Sequence, residues 1–185
     1  MGKECDTDRV VFSRGQQDRL KKLARKLDSV AAEDLLRMER ERQAQETRKK
    51  AAAQLHGLCA EFVLAMNRLV DAVHLELTPE EFQSDGLSET HVYLFQLSVS
   101  GRVIQFTFRG TAELEATEEL RVPYTMEGSV RWFNQEMLER DDIKEHRLYY
   151  CLDKSGNEWR YVDAPAHRMK PVDEEYIAGL VEQLI

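Results

Sequence analysis

The sequence predicts an α+β protein with long N-terminal helices, an antiparallel β-meander of five to seven strands and a C-terminal amphipathic helix. Three observations carry that reading. Apolar residues recur at steps of three and four through residues 16–77. From Thr90 the period changes to two, with turn residues between the apolar runs. The last thirteen residues, "DEEYIAGLVEQLI", return to a helical spacing. Periods of 3.6 and 2 are what one buried helix stripe and one buried sheet face require.

Residues 1–15 read as a flexible leader, closed by the Ser13 and Gly15 breakers. Its start, "MGKECDTDRVVF", has no apolar signal-peptide core, and Asp6 occupies the place where a myristoylation pattern wants Ser or Thr. Cytoplasm is the expected compartment. No apolar run reaches the ~20 residues of a membrane helix, so no membrane association is expected.

A basic helical arm follows over residues 16–50. Its stripe is Leu20, Leu23, Leu27 and Val30, and it then shifts by one position to Ala31, Leu35 and Met38 because Asp34 takes the next place. A row this narrow suits a coiled-coil or helical-hairpin contact. The stretch "ERERQAQETRKK" at 39–50 has Ala44 as its only apolar residue and neither Gly nor Pro, so it stays helical without a face to bury. Pairs such as Glu33/Arg37 and Glu46/Lys50 each add about 0.2–0.5 kcal/mol to a helix.

Residues 51–185 form the expected acidic α+β domain. Leu55, Leu58, Cys59, Phe62, Val63, Met66, Leu69, Val70, Val73 and Leu77 predict one core helix reaching Leu77. Thr78, Pro79 and Glu81 then predict a short capped helix, ended by "SDGLS". "HVYLFQLSV" and "RVIQFTFR" predict a hairpin about Ser100-Gly101, with Ile104, Phe106 and Phe108 on one face. Glu127-Gly128 predicts a second turn, and Pro123 an edge or bulge. Residues 129–138 suit either strand or helix. "RLYYCLD" and "EWRYVDA" predict a hairpin over "KSGN", and Asp173 caps the final helix.

The charge of −8 is unevenly spread: residues 1–50 hold 14 basic and 10 acidic side chains, the remaining 135 hold 12 and 24. The acidic part is a poor nucleic-acid surface, and the basic arm is read as a solvated helix rather than a polyanion site. Arginines interleaved with aromatics between residues 102 and 161 predict core aromatics beside solvent-facing charge, since residues 90–163 hold 9 basic and 13 acidic side chains.

No phosphate loop, GxSxG elbow, HExxH or cysteine pair is present. The histidines His56, His74, His91, His146 and His167 do not form a ligand pattern; His56 with Cys59 is half of one at most. Cys59 and Cys151 read as buried small hydrophobes. The sequence therefore predicts no catalytic residue, cofactor or metal. The expected class is a non-enzymatic protein–protein interaction module, homodimeric through Leu20, Leu23, Leu27, Val30, Leu35 and Met38, with a further protein partner for the acidic domain. The alternative is a small-ligand or lipid-binding domain, or an enzyme, with a pocket between sheet and helices.

Overall fold

A computed structural model describes residues 13–83, 92–116, 122–153, 156–163 and 168–185. The leader at 1–12, "SDGLS" and the histidines His91 and His167 lie outside them. The element order is α1 (Arg14–Asn67), β1 (Glu76–Thr78), β2 (Tyr93–Val99), β3 (Arg102–Ala116), β4 (Pro123–Phe133), α2 (Gln135–Glu139), β5 (Lys144–Asp153), β6 (Gly156–Asp163), β7 (Arg168–Pro171) and α3 (Glu174–Glu182). The chain divides into two compact units between Gln43 and Ala44.

In the first unit α1 begins on a capping box. The Ser13 backbone N–H donates to the Gln16 side-chain oxygen at 2.8 Å, and the Gln16 N–H donates to Ser13 Oγ at 3.4 Å. Ser13 and Gly15, read from sequence as breakers, thus start a helix. Asp34 pairs with Arg37 at 3.0 Å and Glu39 with Arg42 at 2.8 Å along its exposed surface. The Arg42 and Gln43 hydrogen bonds hold the Glu39 carboxyl down to about 2.

The second unit is built on one seven-stranded antiparallel sheet in the order β1-β2-β3-β4-β5-β6-β7, each strand pairing with its sequence neighbours. Strand pairing sets which side chains share a face. Phe95 lies opposite Phe106, which lies opposite Val130, and Leu97, Ile104 and Trp132 form the next row. Phe108, Gly128, Leu148 and Tyr161 form a third row, and Met126, Tyr150 and Trp159 a fourth. These inward residues form one core with Ala51, Ala52, Leu55, Cys59 and Phe62 of α1 and with Tyr176, Ile177, Leu180 and Leu184 of the C-terminal segment. The α1 residues are spaced by threes and fours, so one helix stripe meets the sheet. Ala51 and Ala52 keep α1 close: Trp159 Nε1 donates to the Ala51 carbonyl at 2.7 Å, and the bond is buried.

Gly128 answers to a close approach. A β-carbon there would fall 2.1 Å from the Thr107 carbonyl oxygen, inside the strand partner's backbone. The residue is therefore not a turn residue: Glu127-Gly128 sits within β4, opposite Arg109 and Phe108, which corrects the expected second hairpin. Pro123 is the first residue of β4, where its missing N–H costs the ladder least.

Three further expectations are corrected. The core helix ends at Asn67, not Leu77. Asn67 explains the stop: its side-chain nitrogen donates to the Leu75 carbonyl at 2.9 Å and its oxygen accepts the Leu75 N–H at 2.8 Å, closing residues 68–74 into a loop. Leu75 and Leu77 are buried from the strand side while Leu69 is exposed. The capped helix at Thr78 does not form. Thr78 pairs with Gln96 in β1–β2, His56 Nε2 bonds the Pro79 carbonyl at 2.8 Å, and Phe82 stacks on His56. Tertiary contacts override the capping signal there. Arg48, assigned to the solvated arm, is buried: its guanidinium lies over Gly110 and donates to the Thr111 carbonyl.

The ambiguous segment 129–138 is both strand and helix. The β4 alternation runs to Phe133, and Asn134 then caps α2 by accepting the Met137 N–H at 2.9 Å. The Ser100-Gly101 and β5–β6 hairpins form as expected. Asp173 caps α3 by accepting the Tyr176 N–H at 2.9 Å, and Arg102 Nε donates to the Leu184 carbonyl at 2.7 Å beyond the helix end. Arg102 is a cation among carbonyls, the charge that a helix C-terminus favours.

Candidate self-association face and a cleft beside the C-terminal helix

The six residues that the sequence singles out all lie on α1 in the first unit. Leu20, Leu23, Leu27, Val30, Leu35 and Met38 are 44–67% exposed. From Leu20 to Met38 is eighteen residues, about five turns at 3.6 residues per turn, so both project from the same side. At about 100° per residue the other four fall within about 80° of that line. Ala24 and Ala31 lie inside this arc, and Asp34 is the acidic residue among them. Leu36 is also exposed, on nearly the opposite side of the helix.

In the second unit the sheet's outward face is polar. Arg109 pairs with Glu127 at 2.6 Å and Arg131 with Glu145 at 3.2 Å, while Thr107 and Ser129 hydroxyls are 3.1 Å apart. Burial pushes the Glu145 carboxyl up, but hydrogen bonds from Ser129 and Arg131 and the Arg147 charge outweigh it and leave it lowered. Strand register separates the interleaved residues: Phe106, Phe108, Trp132 and Trp159 point into the core, while Arg109, Arg131 and Arg147 point out. Core aromatics beside solvent-facing charge is thus the arrangement present.

A cleft of about 340 Å³ lies between the β5–β7 side of the sheet and α3, lined by His146, Tyr161, Lys170, Asp173, Tyr176 and neighbours. Tyr161 stacks on Tyr176 with centroids 4.0 Å apart, and His146 stacks on Tyr161 at 5.3 Å. His146 Nδ1 and the Tyr176 hydroxyl share a hydrogen bond of 3.0 Å. Burial lowers the His146 pKa, partly offset by Asp163, so the imidazole is neutral at pH 7. Burial raises both phenols, at Tyr161 against the pull of Lys170 and at Tyr176 with the help of Tyr161. Lys170 is held charged by Asp163 at 2.6 Å. The cleft therefore offers neutral aromatic faces, shared hydroxyls and one paired cation. The Asp173 and Glu175 carboxylates also line it, Asp173 as the cap of α3.

Sequence reasoning placed none of the cleft residues together. The register holds the signal: His146 shares the inward row of Phe106 and Val130, so a histidine stands where an apolar residue is the rule.

Cys59 and Cys151 are buried free thiols. Burial raises both, Cys151 to about 11, so neither is a thiolate at neutral pH. His56 is engaged with the Pro79 carbonyl and Phe82 rather than aimed at a ligand. Among the described residues no three His, Cys, Asp or Glu side chains group as metal ligands, and no helix is long and apolar enough to cross a membrane.

No protein-family model, no curated protein and no solved structure matches the chain.

Proposed function

We propose that the chain is a non-enzymatic interaction module that self-associates through the α1 stripe at Leu20–Met38 and presents the acidic sheet unit to a protein partner. One observation carries this reading: six large apolar side chains, in a row five turns long, stand exposed. Two copies contribute twelve such side chains. Covering them, at roughly 25 cal/mol per Å², is the term that works against an association cost of about 4–15 kcal/mol. Two-fold dimers are the commonest closed assemblies. Light scattering on the full chain tests the reading. A mass of two chains, reduced to one by Leu23→Glu with Leu27→Glu, is expected; a monomer at tens of micromolar removes it.

The cleft beside α3 favours a second reading, capture of a small planar ligand with an acidic group. Its volume stands at the lower end of ligand pockets. Aromatic faces and Lys170 would hold the two parts of such a ligand. Thermal shift against a panel of aromatic acids tests it: stabilisation that Lys170→Gln abolishes supports the cleft, and a blank panel removes it.

A further inference from the structure

The apolar stripe of α1 raises the question of direction, because two helices can pair parallel or antiparallel. Two properties of the helix decide it. The first is spacing. Leu20, Leu23, Leu27, Ala31, Leu35 and Met38 are separated by 3, 4, 4, 4 and 3 residues, a pattern that reads the same in both directions about Ser29. A two-fold contact needs residue i against j and j against i. Reversing a second copy about Ser29 sets Leu20 level with Met38, Leu23 with Leu35 and Leu27 with Ala31, while Val30 falls level with Asp28 and Ala24 with Asp34.

The second property is charge. Residues 14–26 carry six basic side chains and one acidic, whereas residues 32–44 carry four acidic and three basic. A parallel pair lays the basic segment against its own copy, with Arg19 beside Lys21 and Lys26 beside Arg25 across the seam. An antiparallel pair lays it against the segment containing Glu33, Asp34, Glu39 and Glu41. In that arrangement side chains on the same flank of the stripe meet, which brings Lys26 to Glu33 and Lys21 to Glu39 of the other copy. Arg19 approaches Arg37, the unfavourable contact of the set. Like charges across a helix seam select against an orientation as effectively as opposite charges select for one.

We infer that the occupant of this face is a second copy of the same helix, paired antiparallel with Ser29 at the two-fold axis. The inference rests on the self-association reading and specifies its geometry. The strongly basic end of each stripe then faces the slightly acidic end of the other rather than its own copy.

Disulfide mapping in the full chain, with Cys5→Ser to remove the thiol outside the described region, tests direction separately from assembly. Leu20→Cys and Met38→Cys proteins are mixed and oxidised. The antiparallel pair predicts the mixed 20–38 crosslink. Dimers by light scattering that crosslink only 20 to 20 and 38 to 38 overturn the inference and leave self-association standing. A monomeric mass for the unsubstituted chain overturns both. Charge exchange supplies a second measurement that needs no cysteine. Lys26→Glu is expected to raise the dimer dissociation constant about tenfold, and Lys26→Glu with Glu33→Lys to restore it. Absence of rescue in a dimer weakened by Lys26→Glu also overturns the antiparallel geometry.

Discussion

Helix α1 contains two regions of similar composition rule and opposite fate. Around residues 20–38 the large apolar side chains are exposed; between residues 48 and 62 the same three-and-four spacing is buried. Periodicity is the same in both, so periodicity does not say what a stripe is buried against. The difference lies in the residues between. Ala51 and Ala52 let the helix backbone approach until Trp159 bonds a helix carbonyl. Lys21, Lys22, Arg25 and Lys26 surround the first stripe with long charged chains, which favour a thin contact with a narrow partner.

Substitutions sharpen that contrast, beginning with the largest effect. Phe106 is fully buried and stacks on Phe95 at 4.9 Å, so Phe106→Ala is expected to cost about 3–5 kcal/mol in chemical denaturation. Leu27→Ala, at a residue of the same chemistry on the exposed stripe, is expected to leave the unfolding of the sheet unit within about 0.5 kcal/mol while weakening self-association. Equal losses at the two sites would break the comparison. Gly128→Ala comes next, at roughly 1–3 kcal/mol, because the added carbon meets the Thr107 backbone rather than a side chain that can turn away.

Proton and thiol measurements follow. The folded state lowers the His146 pKa below its ordinary 6.5, so the unfolded chain binds the proton more readily. That contribution to stability is complete above about pH 6.5 and is lost as pH falls toward the folded value. The thermal midpoint is expected to fall between pH 7.5 and 5.5, and His146→Gln to flatten that slope. Iodoacetamide at pH 8 should leave Cys59 and Cys151 unmodified until denaturant is added; prompt labelling would contradict their burial. The smallest effect belongs to Trp132→Phe. Its indole N–H is buried with no hydrogen-bond partner among the described residues, so losing that donor offsets part of the lost packing, and the change is expected to stay under about 1.5 kcal/mol.

Much of the fold was legible because it is local. Consecutive strands pair with consecutive neighbours, so alternation plus Ser100-Gly101 locates β2 and β3, and Asp173 locates α3. What was illegible depended on distant partners. Thr78 and Glu81 have the chemistry of a helix start, yet Gln96, His56 and the aromatic cluster around Phe82 claim that segment. Asn67 stops α1 by bonding Leu75, a pairing that no spacing rule encodes. Glu127-Gly128 looked like a turn because glycine serves both a tight bend and a close strand contact. At the candidate sites the division is the same. The stripe on α1 is local and was readable, whereas the cleft assembles His146, Tyr161 and Tyr176 from three elements and needed the register first.

The bond between Trp159 and Ala51 joins positions 108 residues apart. A ribosome adding about 5–20 residues per second needs on the order of 5–20 s to span that interval. Within it Leu55, Cys59 and Phe62 are made before any of β2–β6, and the strand that carries Trp159 comes last of these. The earliest stretch of this hydrophobic interior to be synthesised thus waits longest for shelter, and a nascent chain halted before Trp159 would be a natural client for chaperones.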